Sequence, residues 1–181
     1  NNYYLYIENT KNIDLNSIKV KKKINIIYRN NKIQESVENL YRFRKQCKAR
    51  GFKLYISNNM KLLKDCRADG LYLSSYNKKI HLNKNLNLIG SAHSFKEINE
   101  KIKQGCKTIF LSRLFKTSYK DGKGQLGVVK FNLLVAKYKV MIVPLGGIKY
   151  SNLNKLNLTN KSGLALLSEV KKKPAITSRL F

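Results

Sequence analysis

Acidic residues are scarce in this chain of 181 residues, which carries 10 Asp and Glu against 37 Lys and Arg. Histidine is scarcer still, since His81 and His93 are the only two. Neither has a carboxylate at a spacing that suggests a catalytic triad, and so few acids disfavour metal-dependent hydrolysis. His93 is a candidate general acid or base, although a lone histidine beside a capping serine is more often structural. The three cysteines, Cys47, Cys66 and Cys106, match no zinc-binding spacing, so we predict buried, reduced thiols.

Long apolar runs are also missing from the sequence. No run of about 18 apolar residues occurs, so we expect no membrane-spanning helix. Residues 1–9 lack the basic region and the apolar core of a secretory signal peptide, and we therefore expect a cytoplasmic protein. Hydrophobic residues nevertheless make up 43% of the chain. That content suffices for a single domain, residues 1–181, to bury a continuous core.

The net charge of +27 would ordinarily indicate binding to nucleic acid, to anionic membranes or to phosphorylated ligands. Lys and Asn, however, are spread over the whole chain beside abundant Ile and Tyr, all of them residues that AT-rich codons favour. The longest basic runs, residues 21–23 and 171–173, are only three residues long. Compositional drift on a solvated surface is thus the favoured interpretation, and general anion affinity and nucleic-acid binding stay open as alternatives.

Apolar and aromatic runs of strand length alternate with segments of helical character along the chain. The predicted strands are residues 3–7, 23–29, 52–56, 71–73, 86–92, 108–111, 140–145 and 163–167. Such alternation predicts an α/β fold, namely a single-domain (β/α)8 TIM barrel, with a doubly wound sheet as the alternative. Pro174 interrupts the last segment and leaves the final helix short or incomplete.

The clearest helix start lies after the fifth predicted strand. Ser94 with Glu97 forms a capping box, in which each side chain satisfies a backbone N–H of the first turn. The apolar side of this helix is predicted to consist of Phe95, Ile98 and Ile102.

Two strand ends carry residues that suit an anion. Residues 110–127 run from a strand into a loop with hydroxyl groups, lysines and glycines, which indicates an anion site or, alternatively, a flexible solvated connection. Gly146 and Gly147 follow the seventh strand, and Ser168 follows the eighth. Since glycine lets an anion approach the backbone closely, we predict a phosphate site at these last two strand ends.

Five short segments, in order along the chain, carry a combined pattern. They are residues 68–73 (ADGLYL), 89–94 (IGSAHS), 115–120 (FKTSYK) with Gly127, 146–148 (GGI) and 163–168 (GLALLS). Together they resemble the successive signatures of thiamine phosphate synthase and the related TenI group. The resemblance implies a TIM barrel that joins hydroxymethylpyrimidine pyrophosphate to thiazole phosphate in thiamine biosynthesis. Such a transferase releases pyrophosphate with the help of Mg²⁺.

The resemblance also implies roles for individual residues. Those at positions that hold the pyrophosphate are Arg29, Ser91, Thr117 and Lys120. Those at positions that hold the thiazole phosphate are Gly146, Gly147 and Ser168. Arg29 and Lys120 are the expected catalytic residues, because cations stabilise a leaving pyrophosphate and electrostatic stabilisation is usually the largest catalytic term.

The chain departs from the family at the expected metal ligands. The acidic residues after the third and fourth strands fall on Asn58 and Asn77, so both metal positions are degenerate. Mg²⁺ is a hard cation held chiefly by carboxylates and phosphates. We therefore expect no metal bound by the protein itself, and Mg²⁺ would enter only with the substrate pyrophosphate. The TenI histidine after the sixth strand falls on Arg113, which argues against tautomerase activity.

The sequence leaves three hypotheses, in descending order. In the first, the chain is a diverged synthase in which Arg113, Lys116 and Lys120 take over part of the metal's role. In the second, it is a barrel that kept the phosphate pocket but lost catalysis and serves binding or regulation. The third is a nucleic-acid-binding protein. The expected partners are phosphorylated small molecules, the pyrimidine pyrophosphate and thiazole phosphate, rather than nucleic acid or membrane, and a homo-oligomer is compatible with the sequence.

Overall fold

The structure, a computed structural model, describes residues 2–18, 23–30, 35–81, 85–116, 124–159 and 163–166. Its strands are β1 (Asn2–Ile7), β2 (Lys23–Tyr28), β3 (Lys53–Ser57), β4 (Gly70–Leu73), β5 (Leu88–Ala92), β6 (Thr108–Ser112), β7 (Met141–Leu145) and β8 (Gly163–Leu166). Its α-helices are α1 (Val37–Ala49), α2 (Met60–Asp65), α3 (Phe95–Lys103), α4 (Gly127–Val135) and α5 (Leu153–Leu156). All eight predicted strands are therefore confirmed. None of the helices in these ranges combines the length and apolar character needed to cross a membrane.

The described chain folds as two compact units, one reaching from the start to Tyr72 and including Leu166, the other Leu73–Ala165. In the first unit, β1, β2, β3 and β4 pair in that order as parallel strands. In the second unit, β5, β6 and β7 likewise pair in order and in parallel. Parallel pairing of consecutive strands requires a crossover between them, as the predicted strand and helix alternation demands. A single domain over residues 1–181 stays a prediction, and the predicted short final helix lies outside the described residues.

Helix α1 shows why the first unit folds as it does. The Ser36 Oγ accepts a hydrogen bond from the Asn39 N–H at 3.2 Å, which satisfies one of the unpaired donors of the first turn. The buried face of the helix consists of Leu40, Phe43 and Cys47. These positions recur at helical spacing, so α1 buries one apolar stripe and exposes a charged face.

Helix α3 begins at the predicted capping box. The Ser94 Oγ accepts from the Glu97 N–H at 3.3 Å. The Glu97 carboxylate accepts in return from the N–H of His93, one residue before the cap, at 2.8 Å. The predicted apolar side is correct for Ile98, which is fully buried, and wrong for Phe95, which is 53% exposed.

The buried face of α3 contains a lysine where the helical pattern of apolar residues predicts an apolar side chain. Lys101 is fully buried on α3, and its stem lies against Gly90 of β5. A Cβ at Gly90 would lie 2.9 Å from the Lys101 Cδ, so glycine is what allows this close contact. Helix α3 thus covers the face of β5 on which Gly90 lies. Because side chains alternate along a strand, Ser91 belongs to the opposite face.

The three cysteines are free and buried, which confirms the prediction of reduced thiols. Burial raises the pKa of the Cys47 thiol to about 12 and that of the Cys106 thiol to about 12 as well. Burial also raises the pKa of Cys66. Since the thiolate is the reactive form, all three groups are held in an inert state by the fold.

We expect a disulfide exchange reagent at pH 8 to label the folded protein at least about a hundredfold more slowly than the protein in denaturant, because raised thiol pKa values and burial both suppress the thiolate. The measurement is stopped-flow absorbance of the released reagent thiol, with and without guanidinium chloride. One cysteine that reacts equally fast in both conditions would contradict the burial described above.

Candidate functional site

Arg29 lies directly after β2, where its backbone N–H donates to the Ile7 carbonyl at 2.8 Å. Its side chain is half-buried, and its Nε is shielded from solvent with no hydrogen-bond partner among the described residues. The three ion pairs found in those residues all use other cations. A half-buried cation without a counter-charge is costly, so this position favours an anionic ligand.

The charge of Arg29 acts on Tyr6, which packs against a second tyrosine. The rings of Tyr6 and Tyr72 pack edge to face, with centroids 5.6 Å apart. Burial raises the pKa of Tyr6 well above its usual range, and Tyr72 adds to the rise. The positive charge of Arg29 acts on the pKa of Tyr6 in the opposite direction, so the guanidinium interacts electrostatically with this phenol. The raised pKa keeps the Tyr6 phenol neutral, so this group does not offset the Arg29 charge.

Asn58 follows β3 in the first unit, at the position where the family resemblance expects a metal-binding carboxylate. Its backbone adopts φ +56°, a conformation that Asn tolerates better than most residues. Its N–H donates to the Tyr72 carbonyl at 2.8 Å, which fixes the turn to the end of β4. The next residue, Asn59, caps α2 by accepting from the Leu62 N–H at 2.9 Å. This turn therefore presents amides, which carry no charge to offset a divalent cation.

Asn77, the second position at which the resemblance implies a metal ligand, lies in the loop after β4. Its side-chain oxygen accepts from the Lys79 N–H at 2.9 Å. Its backbone carbonyl accepts from the Lys101 ammonium at 2.7 Å and from the Gln104 amide at 2.9 Å. Burial lowers the pKa of Lys101, and the Gln104 Oε1 accepts a second hydrogen bond from the ammonium at 2.9 Å. A buried amine thus holds the segment that would have to supply a metal ligand.

The described residues do not fit a protein-bound Mg²⁺. Among them, no group of three or more His, Cys, Asp or Glu side chains is placed to hold a metal ion. Both expected carboxylate positions are amides, and an amine bonds to the backbone of one of them. Hard divalent cations prefer carboxylate oxygens, and a nearby positive charge repels them.

Ser91 is 6% exposed in β5, on the face opposite α3. Its register partner in β6 is Phe110. One pleat further along, the Nδ1 of His93 and the Oγ of Ser112 lie 2.7 Å apart. The sequence pattern indicates His93 alone and not this pair, because Ser112 is 19 residues away. The only available signal was that both residues stand at the ends of consecutive predicted strands.

Gly146 and Gly147 follow β7 with φ of +91° and +70°. The Phe115 N–H donates to the Gly146 carbonyl at 3.1 Å, and the Asn152 side chain donates to the Gly147 carbonyl at 2.8 Å. A Cβ at Gly147 would clash with the Phe115 carbonyl and would lie 2.6 Å from the Lys116 carbonyl oxygen. The diglycine therefore lets the loop after β6 approach the end of β7, and its phosphate-binding role stays a prediction.

The remaining predicted site residues, Thr117, Lys120 and Ser168, lie outside the described residues. Arg113 and Lys116 precede that gap after β6. The Arg113 side chain packs against Gly146, where a Cβ would lie 3.2 Å from the Arg113 Cγ. The second unit thus brings together Ser91, His93 and Ser112 at the adjacent strands β5 and β6. It also brings Arg113, which follows β6, close to the diglycine that follows β7.

Comparison with known proteins reveals consistent similarity to one family. A family model described as Thiamine monophosphate synthase matches residues 12–170. Two proteins called thiamine-phosphate synthase, from Prochlorococcus marinus subsp. pastoris strain CCMP1986 and from strain AS9601, are 27% and 24% identical over 141 and 143 residues. The alignments cover 75% and 76% of this chain but 39% and 40% of those proteins. The chain thus spans about two fifths of the length of the curated relatives it matches.

Solved structures show the fold. The chain is similar to thiamine phosphate pyrophosphorylase from Pyrococcus furiosus, with a TM-score of 0.72, 16% identity and coverage of 99% of this chain and 96% of that one. A thiamine phosphate pyrophosphorylase from Bacteroides thetaiotaomicron gives a TM-score of 0.58 at 15% identity, covering 92% and 82%. The likeness confirms the predicted fold class, a TIM-barrel α/β fold.

We predict that Gly147→Ala destabilises the protein by about 2 kcal/mol more than Gly51→Ala does. The two glycines have nearly the same φ, +70° and +71°, so both variants bear the cost of a left-handed alanine, about 1 kcal/mol. Only Gly147 faces backbone carbonyls, whereas nothing lies within 4 Å of a Cβ at Gly51, and forcing a methyl group into a filled space costs about 1–3 kcal/mol. Urea unfolding of both variants measures the difference. Equal losses in the free energy of unfolding would show that Gly147 is required only for its positive φ and not for the close contact with the carbonyls.

Proposed function

The chain belongs to the thiamine monophosphate synthase family, whose model matches residues 12–170, and we propose that it is a synthase with an altered metal site. In this proposal it joins hydroxymethylpyrimidine pyrophosphate to thiazole phosphate and releases pyrophosphate. Arg29, Ser91, Thr117 and Lys120 bind the pyrophosphate, and Gly146, Gly147 and Ser168 bind the thiazole phosphate. Arg29 and Lys120 are the catalytic residues.

The observation that carries the proposal is the buried Nε of Arg29, a cation for which the described part of the chain provides no ion pair. The Nε is buried and has no hydrogen-bond partner among the described residues. An arginine guanidinium is planar and presents several N–H donors, a geometry that suits a phosphate group. When the bond to the pyrophosphate breaks, the electron pair stays on the pyrophosphate oxygen, so negative charge grows on the leaving group. A cation already placed at the end of a strand stabilises this charge without having to reorganise.

With an altered metal site, protein cations have to stabilise the negative charge that develops on the leaving pyrophosphate. The residues present do not fit Mg²⁺, so the proposed reaction contains no step that a protein-bound metal performs. Arg113 and Lys116, which follow β6, and Lys120 supply positive charge in its place. Any Mg²⁺ enters as a complex with the substrate's own pyrophosphate, whose oxygens are the ligands that this ion prefers.

A second candidate function is a barrel that binds phosphorylated ligands without turnover, in a binding or regulatory role. It is favoured by the amide at Asn58 and by the Lys101 ammonium on the Asn77 carbonyl. In this case the anion-binding positions persist while the chemistry is lost. The two candidates share their ligands and differ only in product formation.

The two candidates are separated by product formation from the two substrates, followed by chromatography, with Mg²⁺ and with a chelator. We expect thiamine phosphate to form in both conditions, with at most a modest gain from Mg²⁺, because the protein offers no carboxylates for it. A protein that forms no product in either condition yet binds thiazole phosphate in a calorimeter is the non-catalytic barrel. If the protein neither forms product nor binds thiazole phosphate, both candidates are wrong.

We expect Arg29→Gln to weaken pyrophosphate binding about 10- to 100-fold, since a hydrogen bond to a charged group is worth about 1.5–3 kcal/mol. The matched control is Arg42→Gln, which removes the same charge from an exposed pair with Glu38 on α1. Calorimetric titration of pyrophosphate into each variant is the measurement. Equal affinities of the two variants would show that Arg29 does not contact the anion.

A further inference from the structure

The pair formed by His93 and Ser112 has a defined place in the second unit. The last register pair between β5 and β6 that precedes it is Ala92 with Leu111, so His93 and Ser112 stand opposite each other where the two strands end. The Nδ1–Oγ distance of 2.7 Å is that of a good hydrogen bond. Such a bond fixes the imidazole ring and decides which nitrogen remains for other partners.

The pair lies on the same face of the sheet as Ser91. Ser91 and Phe110 are register partners and share a face, and Ser112 shares the face of Phe110 because it stands two residues further along β6. The opposite face is the one that α3 covers at Gly90. Two residues along a strand correspond to about 7 Å, so the pair lies one pleat beyond the proposed pyrophosphate residue Ser91.

The chemistry of His93 suits a proton donor. Its ring is exposed, so it can regain a proton from water after each turnover. When both ring nitrogens are protonated, the Nδ1–H donates to the Ser112 oxygen and the Nε2–H is left to donate elsewhere. No described residue hydrogen-bonds the Nε2. The Glu97 carboxylate bonds to the backbone N–H of His93 and thereby holds the residue at the start of α3.

We propose that His93, positioned by Ser112, donates a proton to the departing pyrophosphate, an inference that rests on the proposed synthase function. The bond between the pyrimidine methylene carbon and the pyrophosphate oxygen breaks, and its electron pair stays on that oxygen, while the lone pair of the thiazole nitrogen forms the new bond to the methylene carbon. The His93 Nε2 proton moves to the pyrophosphate, and neutral His93 keeps the Nδ1–H that donates to Ser112. Solvent then reprotonates the Nε2. With no carboxylate-bound metal available, this proton neutralises part of the leaving-group charge.

The test compares two leaving groups. We expect His93→Gln to lower kcat about 100-fold with the pyrimidine pyrophosphate, the scale of general acid catalysis. With the corresponding chloromethyl pyrimidine, whose chloride leaves without a proton, the same variant is expected to keep most of its rate. Ser112→Ala is expected to show a smaller loss with the pyrophosphate only, and Ser112→Thr to restore the rate. His81→Gln is the control for loss of a histidine, and thermal unfolding confirms that each variant is folded.

The outcomes separate this inference from the proposed function. If the unmodified protein turns over and His93→Gln is equally active, or loses rate equally with both leaving groups, the proton-donor role is wrong while the synthase proposal stands. If the unmodified protein forms no product from either pyrimidine, both are wrong. A loss confined to the pyrophosphate substrate supports the inference.

Discussion

A guanidinium lies half-buried at the end of β2, without a described carboxylate as its counter-charge. Burying part of a cation carries a desolvation cost that a fold tolerates only when something offsets it. Here the phenol of Tyr6 cannot do so, because burial raises its pKa and keeps it neutral. An anionic ligand would supply the counter-charge that no described carboxylate gives, and a chain with 10 acidic residues offers few of its own.

The same shortage of acids extends to the two positions at which the family resemblance implies metal ligands. Where the resemblance implies carboxylates, this chain has Asn58 in a tight turn and Asn77 in a loop held by a buried lysine. The Lys101 ammonium satisfies the Asn77 carbonyl and anchors the loop to α3. Lys101 thus stabilises the loop at Asn77, and its positive charge repels a metal ion at the same place. In the proposed reaction, the chemistry is therefore left to protein cations, hydroxyl groups and one histidine.

Much of the fold could be predicted from the sequence, since buried parallel strands are continuous apolar runs such as those of β3 and β7. The capping box at Ser94 was equally readable, because it depends only on residues three apart. The pair of His93 with Ser112 was not, because it depends on the register between β5 and β6. Lys101 also escaped prediction: its burial depends on the gap that Gly90 leaves in the neighbouring strand and on the acceptors that Asn77 and Gln104 provide.

The most direct test of the account is a crystal structure of the protein soaked with pyrophosphate and Mg²⁺. We predict pyrophosphate oxygens within hydrogen-bond distance of the Arg29 guanidinium, and any Mg²⁺ ligated by pyrophosphate and water rather than by Asn58. Pyrophosphate bound away from Arg29, or a metal ion held directly by the Asn58 turn, would contradict it.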